Sequence, residues 1–104
     1  MNVIWLPIAY RQVKEAINYT ELHFGKIAKR KLQQKLKAGE ILLADFPQSG
    51  IVESLLSHRP ENFRSLIINK IYKIVYFIDA NNVVITTLWH CQQDPEHLQD
   101  MIPE

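Results

Sequence analysis

The chain predicts an α+β fold, in which a short N-terminal strand and an antiparallel helical hairpin pack on a β-sheet. Three features carry that reading. Apolar residues recur at helical spacing through the first part of the chain, and Gly25 divides that part in two. The stretch from Ile71 to Trp89 is instead dense in β-branched and aromatic residues. At 104 residues the expectation is one domain spanning 1–104, with room for one modest hydrophobic core.

Val3, Ile4, Trp5 and Leu6 form a β-prone run that Pro7 cuts off, which predicts a brief first strand. Pro7 then suits the first turn of a helix, where its missing N–H has no partner to lose. Tyr10, Val13, Ile17, Thr20 or Glu21, and Phe24 follow at spacings of three and four, with Ala9 and Ala16 beside them. This is an amphipathic helix capped by Gly25. A second helix begins near Lys26, with Ala28, Leu32, Leu36, Leu43 and Phe46 as its inward row and Leu42 adjacent. Gly39 interrupts the row, and a glycine there costs roughly 1 kcal/mol relative to alanine. Because the apolar phase survives across Gly39, one long helix ending before Pro47 is expected, against the alternative of two short ones.

Pro47-Gln48-Ser49-Gly50 is a turn by composition, and 51–62 reads as loop with a short extended piece at 51–54. Strands are expected over 63–69, 71–79 and 83–89. Ala80-Asn81-Asn82 joins the last two, since Asn tolerates positive φ. Pro95 is placed to open a short terminal helix reaching Met101. Strict alternation puts Tyr72, Ile74, Tyr76 and Ile78 on one face, with Val83, Ile85 and Trp89 the more apolar face of the next strand. The helices are expected on those faces, leaving Lys73, Thr86 and His90, with Arg64, on an open second face.

The 47% hydrophobic and 22% charged fractions are those of a globular chain. One cysteine, Cys91, excludes an internal disulfide and fits a reducing compartment. The start MNVIWLPIAY has no basic n-region, and no apolar run approaches the ~20 residues that span a bilayer. A cytoplasmic protein without membrane association is therefore expected. The net charge of +1 conceals asymmetry, because Lys26, Lys29, Arg30, Lys31, Lys35 and Lys37 crowd one segment.

His90-Cys91-x-x-Asp94 contains metal-binding residue types, but the spacing matches no established zinc pattern, so neither metal nor cofactor is expected. Adjacent strand residues point to opposite faces, so Cys91 would not meet the His90 ring as a nucleophile pair. His90 has two readings: a general acid/base or RNA-contacting group, since imidazole titrates near neutrality, or a side chain hydrogen-bonded to a loop carbonyl. Asp94 reads as a helix cap before Pro95. The basic stretch either tracks phosphates or forms a solvated helix face, and it lacks interleaved aromatics and a glycine-rich loop. Tyr72, Tyr76 and Phe77 either stack bases or pack in the core.

Several phrases in order resemble toxins of the RelE/ParE superfamily of bacterial type II toxin–antitoxin modules. They are Phe24-Gly25, Leu42-Leu43-x-x-Phe46-Pro47-x-x-Gly50, Arg64-Ser65-Leu66-Ile67-Ile68, Tyr72-Lys73-Ile74-Val75-Tyr76, and Trp89-His90-x-x-Gln93-Asp94-Pro95. The resemblance covers nearly the whole chain and implies a helical hairpin on a curved, mainly antiparallel sheet. It implies a cognate antitoxin as partner, and one of two activities. ParE-like members poison DNA gyrase by protein–protein contact. RelE-like members are ribosome-dependent mRNA endoribonucleases, for which Arg64, Lys73 and His90 are the catalytic candidates here. The ending is similar to the ParE pattern Trp-His-x-Arg-Gln-Asp-Pro, with Gln92 at the arginine position. A ParE-like toxin is the leading expectation, a RelE-like nuclease the first alternative, and a non-toxic relative that binds only antitoxin the second. Partner contacts are expected at Trp89, Gln92 and Asp94, and at Lys29 and Arg30, without stable DNA binding by the chain alone.

Overall fold

A computed structural model of the chain describes residues 1–91 together with Leu98 and Ile102. The expected terminal helix after Pro95 lies outside the described residues. Strand β1, Asn2–Trp5, leads into a helical element α1, Pro7–Asp45, with the proline at its first turn. Inside α1, Gly25 has φ 90° and ψ 177°, a conformation that residues with a Cβ avoid. A straight helix of 39 residues would run about 58 Å, whereas the molecule's longest dimension is 40 Å. The chain therefore turns back at Gly25 into two antiparallel arms, 7–24 and 26–45. Tyr10 and Ile17 of the first arm share a cleft with Gln33 and Lys37 of the second.

The second arm is continuous through Gly39. That glycine is buried where the helix presses on the sheet, and an added Cβ would stand 2.9 Å from Ile68 Cδ1. The helical penalty of the glycine is offset by close approach. On the first arm Ala9 and Ala16 are the buried residues, Val13 and Ile17 are half-buried, and Tyr10, expected inside, is exposed. Phe24 and Phe46, both expected inside, are 63% and 65% exposed because they lie at the two ends of the arms.

Strands β2 (Ile51–Val52), β3 (Arg64–Ile67), β4 (Tyr72–Asp79) and β5 (Asn82–His90) complete a five-stranded sheet of order β1-β5-β4-β3-β2. Only the β1–β5 pair is parallel. A 3₁₀ turn, Ser54–Leu56, follows β2. The β4–β5 turn is the pair Ala80-Asn81, and the residue with positive φ is Ala80, at 53°, rather than an asparagine.

Tyr72, Ile74, Tyr76 and Ile78 do face the helical arms, in a core with Leu32, Leu36, Leu43, Val83 and Ile85. The second face is not open. Val75, Phe77 and Trp89 pack there beneath Leu56, Phe63, Leu98 and Ile102, so the sheet lies between two apolar layers.

Candidate functional site

The exit of the β4–β5 hairpin is shaped by one irregularity. Val75 pairs with Thr87 and Tyr76 with Ile85, so Thr86 is an extra residue in β5, a β-bulge. Its hydroxyl donates to the Val75 carbonyl at 3.0 Å. The bulge inverts the alternation of everything after it. Leu88 and His90 turn to the helical side, and Trp89 turns to the second face, the reverse of the assignment from strict alternation. Past Trp5, β1 no longer covers the outer edge of β5. There the Leu88 N–H donates to Gln12 Oε1 at 2.9 Å, and the Thr87 hydroxyl donates to the same oxygen at 2.8 Å.

His90 pairs in register with Tyr72, and the two rings meet edge-on with centroids 5.3 Å apart. Together with Gln12, Glu15, Ala16, Tyr19 and Leu88 they line a cleft of about 360 Å³ between the first arm and the sheet. Burial pushes the Tyr72 hydroxyl above its ordinary range, and the neighbouring Tyr19 adds to the shift against a hydrogen bond with Thr20. At neutral pH the Tyr72 hydroxyl is a proton holder and hydrogen-bond donor, not a base.

Lys73 lies on the other face. Its ammonium is 2.5 Å from Glu53 Oε1, which also accepts from the Ser65 hydroxyl at 2.8 Å. Burial raises the Glu53 carboxyl, but the hydrogen bonds from Lys73 and Ser65 and the Lys73 charge outweigh it and hold it below its ordinary range. Cys91 is exposed; desolvation pushes its thiol up, against a nearby Lys73 and reinforced by Glu53, so it is poorly set up as a nucleophile.

Arg64 returns to the helical face, opposite Tyr76, where Nη1 donates to the Gly50 carbonyl at 2.7 Å and to that of Gln48 at 3.4 Å. It sits on β3 and His90 on β5, separated by four residues along the intervening β4, about 13 Å. The fold therefore does not bring Arg64, Lys73 and His90 together. Trp89 is 2% exposed and packs with Phe63 and Val75 in the second layer, so it is not available at the surface. Lys29 is paired with Glu21 at 2.9 Å, and Arg30 is exposed. Gln92 and Asp94 lie outside the described residues. Among the described residues no three His, Cys, Asp or Glu side chains are grouped to hold a metal ion, and no helix is long and apolar enough to cross a membrane.

Two participants escaped sequence reasoning. Gln12 sits three and four residues from Ala9 and Ala16, on the buried side of the first arm, so its spacing marks a polar group aimed inward. Glu53 carried no such signal, because it stands in a weakly patterned stretch and acquires its role from Lys73 and Ser65.

The hairpin of helical arms on a mainly antiparallel five-stranded sheet is the architecture of RelE/ParE superfamily toxins. The family model described as "ParE toxin of type II toxin-antitoxin system, parDE" matches residues 3–95, and the chain belongs to that family. Among solved structures, the chain is similar to a chromosomal ParDE toxin–antitoxin system from P. aeruginosa, with a TM-score of 0.69 at 14% identity, covering 86% of this chain and 95% of that one. It is also similar to a YoeB/ParE toxin from Agrobacterium tumefaciens, with a TM-score of 0.59 at 12% identity over 86% and 98% of the two chains. A YoeB–YefM complex from Staphylococcus aureus gives a TM-score of 0.54 at 22% identity over 86% and 97%. At these identities the likeness is one of fold. No curated protein matches.

Proposed function

We propose that this toxin acts as ParE-like members do, inhibiting DNA gyrase by protein–protein contact, and that a cognate antitoxin neutralises it. The observation that carries the reading is the dispersal of the nuclease candidates. Cleaving mRNA needs a base for the 2′-hydroxyl, cations at the phosphate and an acid for the leaving oxygen, all within hydrogen-bond reach of one another's substrate atoms. Arg64 is engaged by backbone carbonyls, Lys73 by Glu53, and the two sit on opposite faces of the sheet. Neither is poised for a phosphate near His90. The antitoxin is expected because the family is that of two-component modules and because a similar fold occurs in a YoeB–YefM complex.

Expression in cells lacking an antitoxin tests the target. Gyrase inhibition predicts DNA breaks and filamentation while translation continues, and His90→Ala should leave toxicity in place. Rapid translation arrest with mRNA cut at codons, abolished by His90→Ala, would establish the nuclease instead. No effect on growth would leave a relative that retains only antitoxin binding.

A further inference from the structure

The tip of the helical hairpin is an exposed apolar surface. Leu22, Phe24 and Ile27 are 81%, 63% and 71% exposed within six residues of chain. Isolated exposed apolar side chains are ordinary, but a contiguous group in a projecting turn is not. Tyr19 and His23 extend it, with ring centroids 4.2 Å apart and Phe24 6.5 Å from each. The group does not serve the core, whose last residue on the first arm is Ile17 and whose first on the second is Leu32. Gly25, in its left-handed conformation, is surrounded by open space.

Charge decides what such a tip accepts. Residues 26–37 carry six lysines and arginines and no carboxylate. Lys26, Arg30 and Lys31 are exposed. A second copy of the chain is disfavoured as occupant, because two such tips repel. A planar anionic bilayer meets one face of a helix, whereas at about 100° per residue Lys31 and Lys35 lie more than about 100° round the arm from Lys26 and Lys37. That distribution fits a partner whose carboxylates run alongside the second arm.

We propose that the hairpin tip is the target-gripping surface, inserting Leu22, Phe24 and Ile27 into an apolar pocket of a protein partner whose rim is lined by carboxylates. The inference rests on the gyrase reading and adds the surface and its chemistry. Aromatic and aliphatic anchors supply the burial, and the cations supply steering and register.

The test uses the full-length toxin and purified gyrase in a supercoiling assay. Two double variants, Phe24→Ser with Ile27→Ser and Lys26→Glu with Arg30→Glu, alter exposed groups only. Both should keep a wild-type circular dichroism spectrum and a Tm within about 4 °C. Each should lose at least about tenfold in inhibitory potency, and wild-type potency should fall as salt is raised. Variants as potent as the wild type would overturn the tip as the gripping surface while leaving the gyrase reading intact. A wild type that kills cells yet leaves supercoiling untouched would overturn the gyrase reading itself. Variants that keep full potency on gyrase but lose binding to phosphatidylglycerol vesicles would reassign the tip to a membrane surface.

Discussion

On the helical side of the sheet, Ile74, Tyr76, Val83 and Ile85 are fully buried under two regular helical arms. On the other side Val75 and Trp89 are buried as deeply, but beneath the 3₁₀ turn, the Phe63 loop and two side chains from the C-terminal segment. The polar anchors differ in kind as well. The first side has a neutral one: the Tyr76 hydroxyl donates to the Pro47 carbonyl at 2.7 Å and accepts from the Gly50 N–H at 2.9 Å. The second side has an ionic one, Glu53 with Lys73 and Ser65. The contrast teaches that a sheet too small to leave a face bare can be closed by periodic structure on one side and by irregular chain on the other. Only the periodic side advertises itself in advance.

The largest expected effects test whether the irregular layer is a core at all. Trp89→Ala should destabilise by about 3–5 kcal/mol and Ile74→Ala by about 2–5 kcal/mol, measured by urea unfolding. A Trp89→Ala variant within experimental error of wild type would show that the second layer is a loose cover. Next comes the neutral anchor. Tyr76→Phe removes the acceptor for the buried Gly50 N–H and the donor to Pro47, so a loss of about 1–3 kcal/mol is expected. No change would mean that water takes over both bonds.

The ionic anchor gives the smallest and most conditional effect. The folded carboxyl of Glu53 is held below its ordinary 4.5. Its contribution is therefore present above that value and is lost as pH falls through the lower folded value. As pH falls below that ordinary value, the wild type should lose more Tm than Glu53→Gln. Equal slopes for the two proteins would remove Glu53 from the acid response.

Much of the architecture was legible in the chain. Both arms, the turn at Gly25, the helix through Gly39, and the inward row of β4 follow from spacing and from glycine's steric freedom. The family resemblance rested on short phrases, and it held across residues 3–95. The site was less legible. His90 and Trp89 exchanged faces because Thr86 inserts one residue into β5, and alternation has no way to signal a bulge.

The hairpin from Tyr72 to His90 thus divides what each level decides. Local sequence determines that these residues are strands, since β-branched and aromatic side chains suit a pleated, half-buried surface. The six cations after Gly25 were equally plain, being a matter of composition alone. Which face each side chain takes, and that both faces are covered, was decided only by tertiary structure. Burial depends on which distant segments arrive above a residue, and Leu56, Phe63, Leu98 and Ile102 reach Trp89 from parts of the chain that carry no shared period. The exposed tip is likewise a tertiary fact, because Phe24 keeps the helical spacing of a core residue but is exposed and packs against no part of the core.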